Sequence, residues 1–249
     1  MDAPEIGRQY PCAQCPLRRL DTFREFTPKE LAFIDGFKRG ELVAEPGSAV
    51  LTEGSNSAHL YTVLSGWGFR YKLLEDGRRQ ILNLVMPGDF IGLQGSVLKE
   101  MQHSVEALSA MLLCVFERDR LWSLYAKYPA LAYDITWLAA REEQTLDEHL
   151  LSIGRRSALE RLAYLLLFIF SRAKARQMTR KNTLVFPFTQ QHIADTLGLS
   201  LVHTNKTLKR LSAMQVVHWH DRRFEIVDHD KLAEIAGWEP APETVRPLI

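Results

Sequence analysis

The stretch Phe188-Thr-Gln-Gln-His-Ile-Ala-Asp-Thr-Leu-Gly-Leu-Ser-Leu-Val-His-Thr-Asn-Lys-Thr-Leu-Lys-Arg-Leu211 limits what this chain can be more than any other. Thr189 is a good N-cap for a short helix, and Ile193 and Leu197 give that helix an apolar face at i, i+4 spacing. Ala194 is small enough for a second helix to cross close by. Gly198 falls where a tight turn needs positive φ, and Leu199 plugs the angle between the helices. Ser200 caps the second helix, whose apolar stripe includes Leu208 and Leu211 and whose outer side carries Lys206, Lys209 and Arg210. The pattern fits a helix-turn-helix that reads DNA, or a plain αα-hairpin in a helical domain. The residues beyond Leu211 favour the first. Val216-Val-His-Trp-His and Arg223-Phe-Glu-Ile-Val flank Asp221-Arg222, the pattern of a β-hairpin wing placed directly after a recognition helix. Thr189, Gln190, Ser200, Val202, His203, Asn205, Lys206, Lys209 and Arg210, with Arg222 on the wing, form the predicted DNA-contacting set.

The net charge of +1 does not announce a nucleic-acid partner, but its distribution does. From Lys206 to Arg223 the chain carries Lys206, Lys209, Arg210, Arg222 and Arg223 against Asp221 alone, enough for phosphate contacts from one small domain. At 249 residues there is room for two domains, and 46% hydrophobic content supplies their cores. Met1-Asp-Ala-Pro-Glu lacks a basic and then apolar run, so no secretory leader is expected. The apolar run Leu162 to Phe170 is far shorter than the roughly 20 residues that span a bilayer, and is expected to be a core helix. The 3 cysteines, two of them in a C-x-x-C, do not suggest a disulfide framework. A cytoplasmic protein is expected, with no membrane partner.

The chain divides by composition and period into five sections. Residues 1–26 are irregular and hold Cys12 and Cys15. Residues 27–117 open on a capping box, Thr27-Pro-Lys-Glu30, and a helix through Phe37, then alternate short β-rich runs with glycine turns; Asp76-Gly77 is a hairpin signal. Regular spacing of many short strands predicts a small jelly-roll barrel. Residues 118–154 return to helical period. Pro129 opens a long helix with Ile135, Ala139, Leu146, Leu150 and Ile153 along one side and Glu143 interrupting, read as a seam between two copies of the chain. Residues 155–238, from the capping box Ser157 to Glu160, hold the winged helix-turn-helix. Residues 239–249, rich in proline, are expected to be a flexible tail. The fold class is α+β.

A cysteine-bearing start, a β-roll, a long helix and a winged helix-turn-helix, in that order, resemble the CRP/FNR family of bacterial transcription regulators. Met86-Pro-Gly-Asp-Phe-Ile-Gly92, Glu160-Arg-Leu-Ala163 and Ile193-Ala-Asp-Thr-Leu-Gly-Leu199 carry the likeness most specifically. The resemblance implies a cyclic-nucleotide-binding-like β-roll that senses a signal, a homodimer on a two-fold operator of double-stranded DNA, and RNA polymerase as a further partner. The cyclic-nucleotide branch of the family uses a glutamate and an arginine that here align with Leu93 and His103. Without the guanidinium there is no bidentate clamp for a cyclic phosphate, so no cyclic nucleotide is expected.

The iron–sulfur, oxygen-sensing branch is closer. Cys12-Ala-Gln-Cys15 matches its first two ligands and Cys114 its distant one, while Asp21 stands where that branch has another cysteine. The resemblance thus implies an iron–sulfur cluster, [4Fe–4S], held by Cys12, Cys15, Cys114 and Asp21, with His103, water or a small thiol as rivals for the fourth place. Arg18 and Arg19 offset charge. Taken singly, Cys114 reads as core packing and the C-x-x-C as a zinc half-site or redox pair, and a haem- or small-molecule-responsive regulator of the same fold stays open. The reading helix also departs from that branch: Val202, Asn205 and Lys206 replace its Glu-x-x-Ser-Arg set, and Thr204 and Thr207 stand at core positions. On the long helix, Leu146 takes the place of an aspartate that drives cluster-free relatives apart, so a dimer with or without cluster is expected. No phosphate loop, nucleophile elbow or catalytic carboxylate pair points to an enzyme.

Overall fold

The computed structural model describes residues 10–239 and 244–249; the irregular course expected for residues 1–9 and the tail at 240–243 lie outside these. Thr27 caps as expected: its hydroxyl accepts the Glu30 N–H while the Glu30 carboxylate accepts the Thr27 N–H at 2.8 Å. The helix α1 (Pro28–Phe37) ends on a fully buried phenylalanine and passes straight into a strand, β1 (Lys38–Ala44), which no alternation in the sequence betrays. The roll continues with β2 (Ala49–Leu51), β3 (His59–Ser65), β4 (Gly68–Leu73), β5 (Arg79–Val85), β6 (Phe90–Ile91), a short helix α2 (Leu93–Leu98), β7 (Ser104–Ala107) and β8 (Met111–Glu117). Its two sheets have the orders β1-β8-β3-β6 and β2-β7-β4-β5. Asp76-Gly77 lies in the turn between β4 and β5, with Gly77 at φ 83.

β8 is buried on both sides. Met111 and Leu113 face the interior of the roll with Val63, Ile91, Met101 and Val105. Leu112, Cys114 and Phe116 face outward into a second core, formed with Leu17, Leu20, Phe23, Phe37, Leu124 and Leu131. A strand packed on both faces reads as a continuous apolar run, and Met111-Leu-Leu-Cys-Val-Phe is one.

Beyond the roll come two helices, α3 (Leu121–Lys127) and the long α4 (Pro129–Arg155). The last section contains α5 (Ala158–Ala175), β9 (Thr179–Arg180), β10 (Thr183–Val185), α6 (Gln190–Leu197), α7 (Leu201–Ala213), β11 (Val217–His220), β12 (Arg223–Ile226) and α8 (His229–Ala236). Ser157 and Glu160 close the expected capping box, and the apolar run of α5 is core, with Leu162, Leu166 and Ile169 almost fully buried. The wing is part of a sheet of order β11-β12-β10-β9. β9, β10 and α8 are short and lie beyond what periodicity announces. Among the described residues no helix is long and apolar enough to cross a membrane. The chain divides into two compact units, one of residues 2–72, 83–144 and 244–249, the other chiefly of 73–82 and 145–243.

That division corrects the expected flexible tail. Residues 244–249 belong to the roll's unit, and Leu248 and Ile249 are buried. Arg246 forms a parallel bridge with Phe23: its N–H donates to the Thr22 carbonyl at 2.7 Å and its carbonyl accepts the Arg24 N–H at 2.8 Å. Its guanidinium pairs with Asp89 at 2.9 Å. The polar and proline-rich composition hides the two apolar residues at the end.

Asp89 closes the turn Met86-Pro-Gly-Asp, in which Gly88 takes φ 84 and its N–H donates to the Val63 carbonyl. A Cβ on Gly88 would stand 2.1 Å from the Phe23 ring. Backbone strain and the clash add, so Gly88→Ala is expected to lower unfolding free energy by about 2–5 kcal/mol, read from the denaturant midpoint. Wild-type stability in this variant contradicts the packing described.

Candidate functional site

The reading helix is assembled as its sequence requires. The Thr189 hydroxyl accepts the His192 N–H, Gly198 takes φ 64, and the Ser200 hydroxyl accepts the His203 N–H at 3.2 Å. Ile193, Leu197, Leu208 and Leu211 are buried, as are Thr204 and Thr207; the Thr207 hydroxyl donates to the His203 carbonyl at 2.8 Å. With the inner side so filled, Val202, His203, Lys206, Lys209 and Arg210 all face solvent, as do Thr189, Gln190 and Ser200. Asn205 is half-buried, at the edge of this surface. On the wing, Asp221 (φ 46) and Arg222 (φ 61) form a two-residue turn with both residues left-handed, and both side chains are exposed. Turns of this kind usually take Asn-Gly, so a left-handed arginine at the tip is costly for folding.

The second site lies in the roll's unit. Cys12 opens a 3-10 turn, Cys12–Gln14, and Cys15 is the joint between it and a second one, Pro16–Arg19. Cys114 comes from the middle of β8, paired with Glu41 on β1 and Thr62 on β3. The three sulfur-bearing residues line one cavity of about 20 Å³, with Tyr10, Arg18, Lys38, Thr62 and Ile249 among its walls. Such a space holds about one water. Burial pushes the Cys12 thiol up to about 12, with Lys38 opposing, and Cys114 likewise to about 12. Burial also raises Cys15, but the Leu17 and Arg18 backbone N–H groups bond its sulfur and pull the other way. The Lys38 ammonium donates to the Tyr10 carbonyl at 2.7 Å and pairs with Glu41. Burial works against its charge, but Cys114 and the Glu41 carboxylate bonded to the ammonium hold its pKa above the usual lysine value. Sequence reasoning missed Lys38 and Glu41 because it missed β1, whose register sets Glu41 opposite Cys114.

Two of the predicted fourth ligands are not here. Asp21 is exposed: Leu20 and Phe23 on either side are buried, 2% and 5% exposed, and turn the aspartate outward. His103 is buried elsewhere in the roll, where it accepts the Arg70 Nε–H at 3.0 Å. Burial, with Arg70 and then Lys72 beside it, pulls its pKa down to about 3, so it is neutral. Arg70 is held in turn by Glu142 of α4, which also accepts from Asn83 at 3.0 Å. Two carboxylates stand by the cysteines: Glu41, opposite Cys114 and paired with Lys38, and Asp35, itself exposed, which accepts the Cys12 N–H at 2.9 Å. Arg18 lines the cavity as expected, whereas Arg19 is exposed. Among the described residues no three His, Cys, Asp or Glu side chains converge tightly enough to hold a single metal ion.

The long helix corrects the predicted seam. Ile135 is 1% exposed, inside its own protomer's core with Leu131 and Leu138, and Leu146 and Ile153 are half-buried. Ala139, Glu143 and Leu150 are exposed as predicted, together with Ala140, Asp147 and Gly154. The open stripe therefore runs Ala140, Glu143, Asp147, Leu150, Gly154, at steps of three and four. Leu146 is not on it, and two acids are.

Comparison with known proteins agrees with both halves. Residues 41–128 match the cyclic nucleotide-binding domain, and residues 160–235 match the Crp-like helix-turn-helix domain. The transcriptional activator protein FnrL of Cereibacter sphaeroides is 29% identical over 230 residues, 91% of this chain and 92% of that protein. The nitrogen fixation regulation protein FixK of Bradyrhizobium diazoefficiens is 32% identical over 210 residues, 83% and 87%. Among solved structures, FixK2 from Bradyrhizobium japonicum superposes with a TM-score of 0.73 at 24% identity, covering 82% of this chain and 99% of that one.

Proposed function

Since the chain belongs to the CRP/FNR family of DNA-binding transcription regulators, we propose that it binds a two-fold operator as a homodimer under the control of an oxygen-sensitive iron–sulfur cluster held by Cys12, Cys15 and Cys114. The observation that carries this reading is the meeting of three cysteines, from an irregular arm and a distant strand, in one buried cavity. The donor set suits such a group: three sulfurs, amide donors on Cys15, and cationic Lys38 and Arg18 to offset thiolate charge. A thiolate-bound cluster supplies oxygen-labile redox chemistry. The protein's own part is to release the thiol protons of Cys12 and Cys114 and to hold the ligands against Lys38. A lone zinc ion is less well served, because no three donors converge on a point among the described residues. In the fourth place we put Asp35 rather than Asp21.

Iron and sulfide analysis of protein made without air tests this. Cys12→Ala, Cys15→Ala and Cys114→Ala each abolish iron binding. Asp35→Asn gives a cluster that decays faster, and Asp21→Ala behaves as wild type. Colourless wild-type protein refutes the cluster, and the reverse ranking of the aspartates refutes Asp35.

For DNA, Val202 packs on a thymine methyl and Lys206 pairs with guanine, while Asn205, whose side-chain oxygen is buried, must turn outward to pair with adenine. Lys206→Ala then relaxes specificity at one base position at a cost of about 1–3 kcal/mol. Arg222→Gly weakens all sequences alike and flattens the salt dependence, while relief of the left-handed turn stabilises the fold by roughly 1 kcal/mol. Titrations of specific and random duplexes separate the two roles; equal losses on both for Lys206→Ala remove it from base reading.

For the dimer, the open stripe of α4 sets Glu143 and Asp147 against their own copies. Leu146, the leucine expected to hold cluster-free subunits together, is half-buried in its own protomer, so we propose that those subunits repel and separate. Asp147→Leu should shift cluster-free protein toward dimer in sedimentation at micromolar concentration. A wild-type dimer of equal strength without cluster counts against the acidic seam.

A further inference from the structure

The cysteine cavity has one wall that no motif explains. Leu248 and Ile249 are each 4% exposed and both line it. The Thr62 hydroxyl, opposite Cys114 on β3, donates to the main-chain oxygen of Ile249. The segment is held further out by the Arg246 bridge to Phe23 and by the Arg246–Asp89 ion pair, which uses the carboxylate that closes the Met86–Asp89 turn. The attachment is therefore sheet-like hydrogen bonding, a largely buried ion pair and two apolar side chains together. The space left beside the thiols is about 20 Å³. A [4Fe–4S] group has eight heavy atoms, and a cavity of that size takes about one water.

We propose that Arg246–Ile249 is a built-in occupant of the three-cysteine pocket, which anything larger than a water, the iron–sulfur cluster proposed above included, must displace to reach the thiols. The cluster half of this statement rests on the proposed function; the occupancy half does not. Displacement has a consequence along the chain. Residues 237–243 join α8 of the DNA-binding domain to this segment, so the tail adds one main-chain tie between the two units to those at 72–73, 82–83 and 144–145. Expelling the segment releases the tail's tie while the others hold, and cluster state is then reported to the DNA-binding domain through a change in tethering.

The test begins with metal-free, reduced full-length protein. Labelling of each cysteine by N-ethylmaleimide, followed by mass spectrometry, is compared for wild type, a chain stopped after Glu243, and Leu248→Asp. The two variants should label Cys12 and Cys114 roughly tenfold faster or more, because local opening no longer has to precede attack. Circular dichroism identifies which variants are folded, and either one suffices. Labelling within twofold of wild type in a folded variant, on the order of experimental scatter, overturns the occupancy. Hydrogen exchange of the peptides covering residues 22–24 and 244–249 is then compared between metal-free protein and protein reconstituted with iron and sulfide. Faster exchange at the Arg24 and Arg246 amides in the brown sample supports displacement. Unchanged exchange in a brown sample overturns displacement and leaves the cluster standing. A colourless sample overturns the cluster and with it displacement, and leaves the occupancy to the labelling result.

Discussion

Strand β8 is the element on which both the barrel and the cysteine site depend. Its odd residues close the interior of the roll and its even residues anchor the outer core, so Cys114 is fixed in place by packing on both faces. The pairing of Cys114 with Glu41 and Thr62 settles what surrounds the sulfur: Glu41 holds Lys38 on one side, and Thr62 holds the Ile249 oxygen on the other. A slip of one residue would send the sulfur into the barrel and leave the C-x-x-C arm without a partner.

The arm itself is held by charge. The Arg24 guanidinium forms a two-pronged bond with the Glu30 carboxylate at 3.1 Å and also donates to Asp134 on α4 at 3.0 Å. Glu30 is at the same time half of the α1 capping box. Burial opposes the charge on both groups, yet the Arg24 bonds hold Glu30 below the usual carboxylate range. One arginine thereby fixes the start of α1, the end of the arm and the first turns of α4, and with them the cysteines.

Caps, turns and periods were legible from the residues. Thr27, Ser157, Thr189 and Ser200 all cap, Gly198 is left-handed, and the wing turns at Asp221-Arg222. These are local decisions, made within a few residues. What escaped depends on distant partners. β1 lacks alternation because one face meets α1 and the arm, and without β1 neither Lys38 nor Glu41 could be placed. Asp21 matched a spacing, but spacing along an irregular arm says nothing of direction, and the burial of Leu20 and Phe23 decided it. On α4 the apolar residues fell on two different surfaces. Ile135 serves its own core and Leu150 the open stripe, and a helical pattern alone does not distinguish them. The tail was misjudged because composition outweighed two terminal apolar side chains.

The Arg70 cluster has a consequence for how such a barrel evolves. Its buried guanidinium is matched by His103, Glu142 and, through Glu142, by Asn83, all from this chain. A barrel interior that neutralises its own charge stays folded without an occupant. The inner lining is then constrained to keep that cluster, so in descendants of this chain His103 should vary in step with Arg70 and Glu142, while the residues around the cysteines vary independently of them.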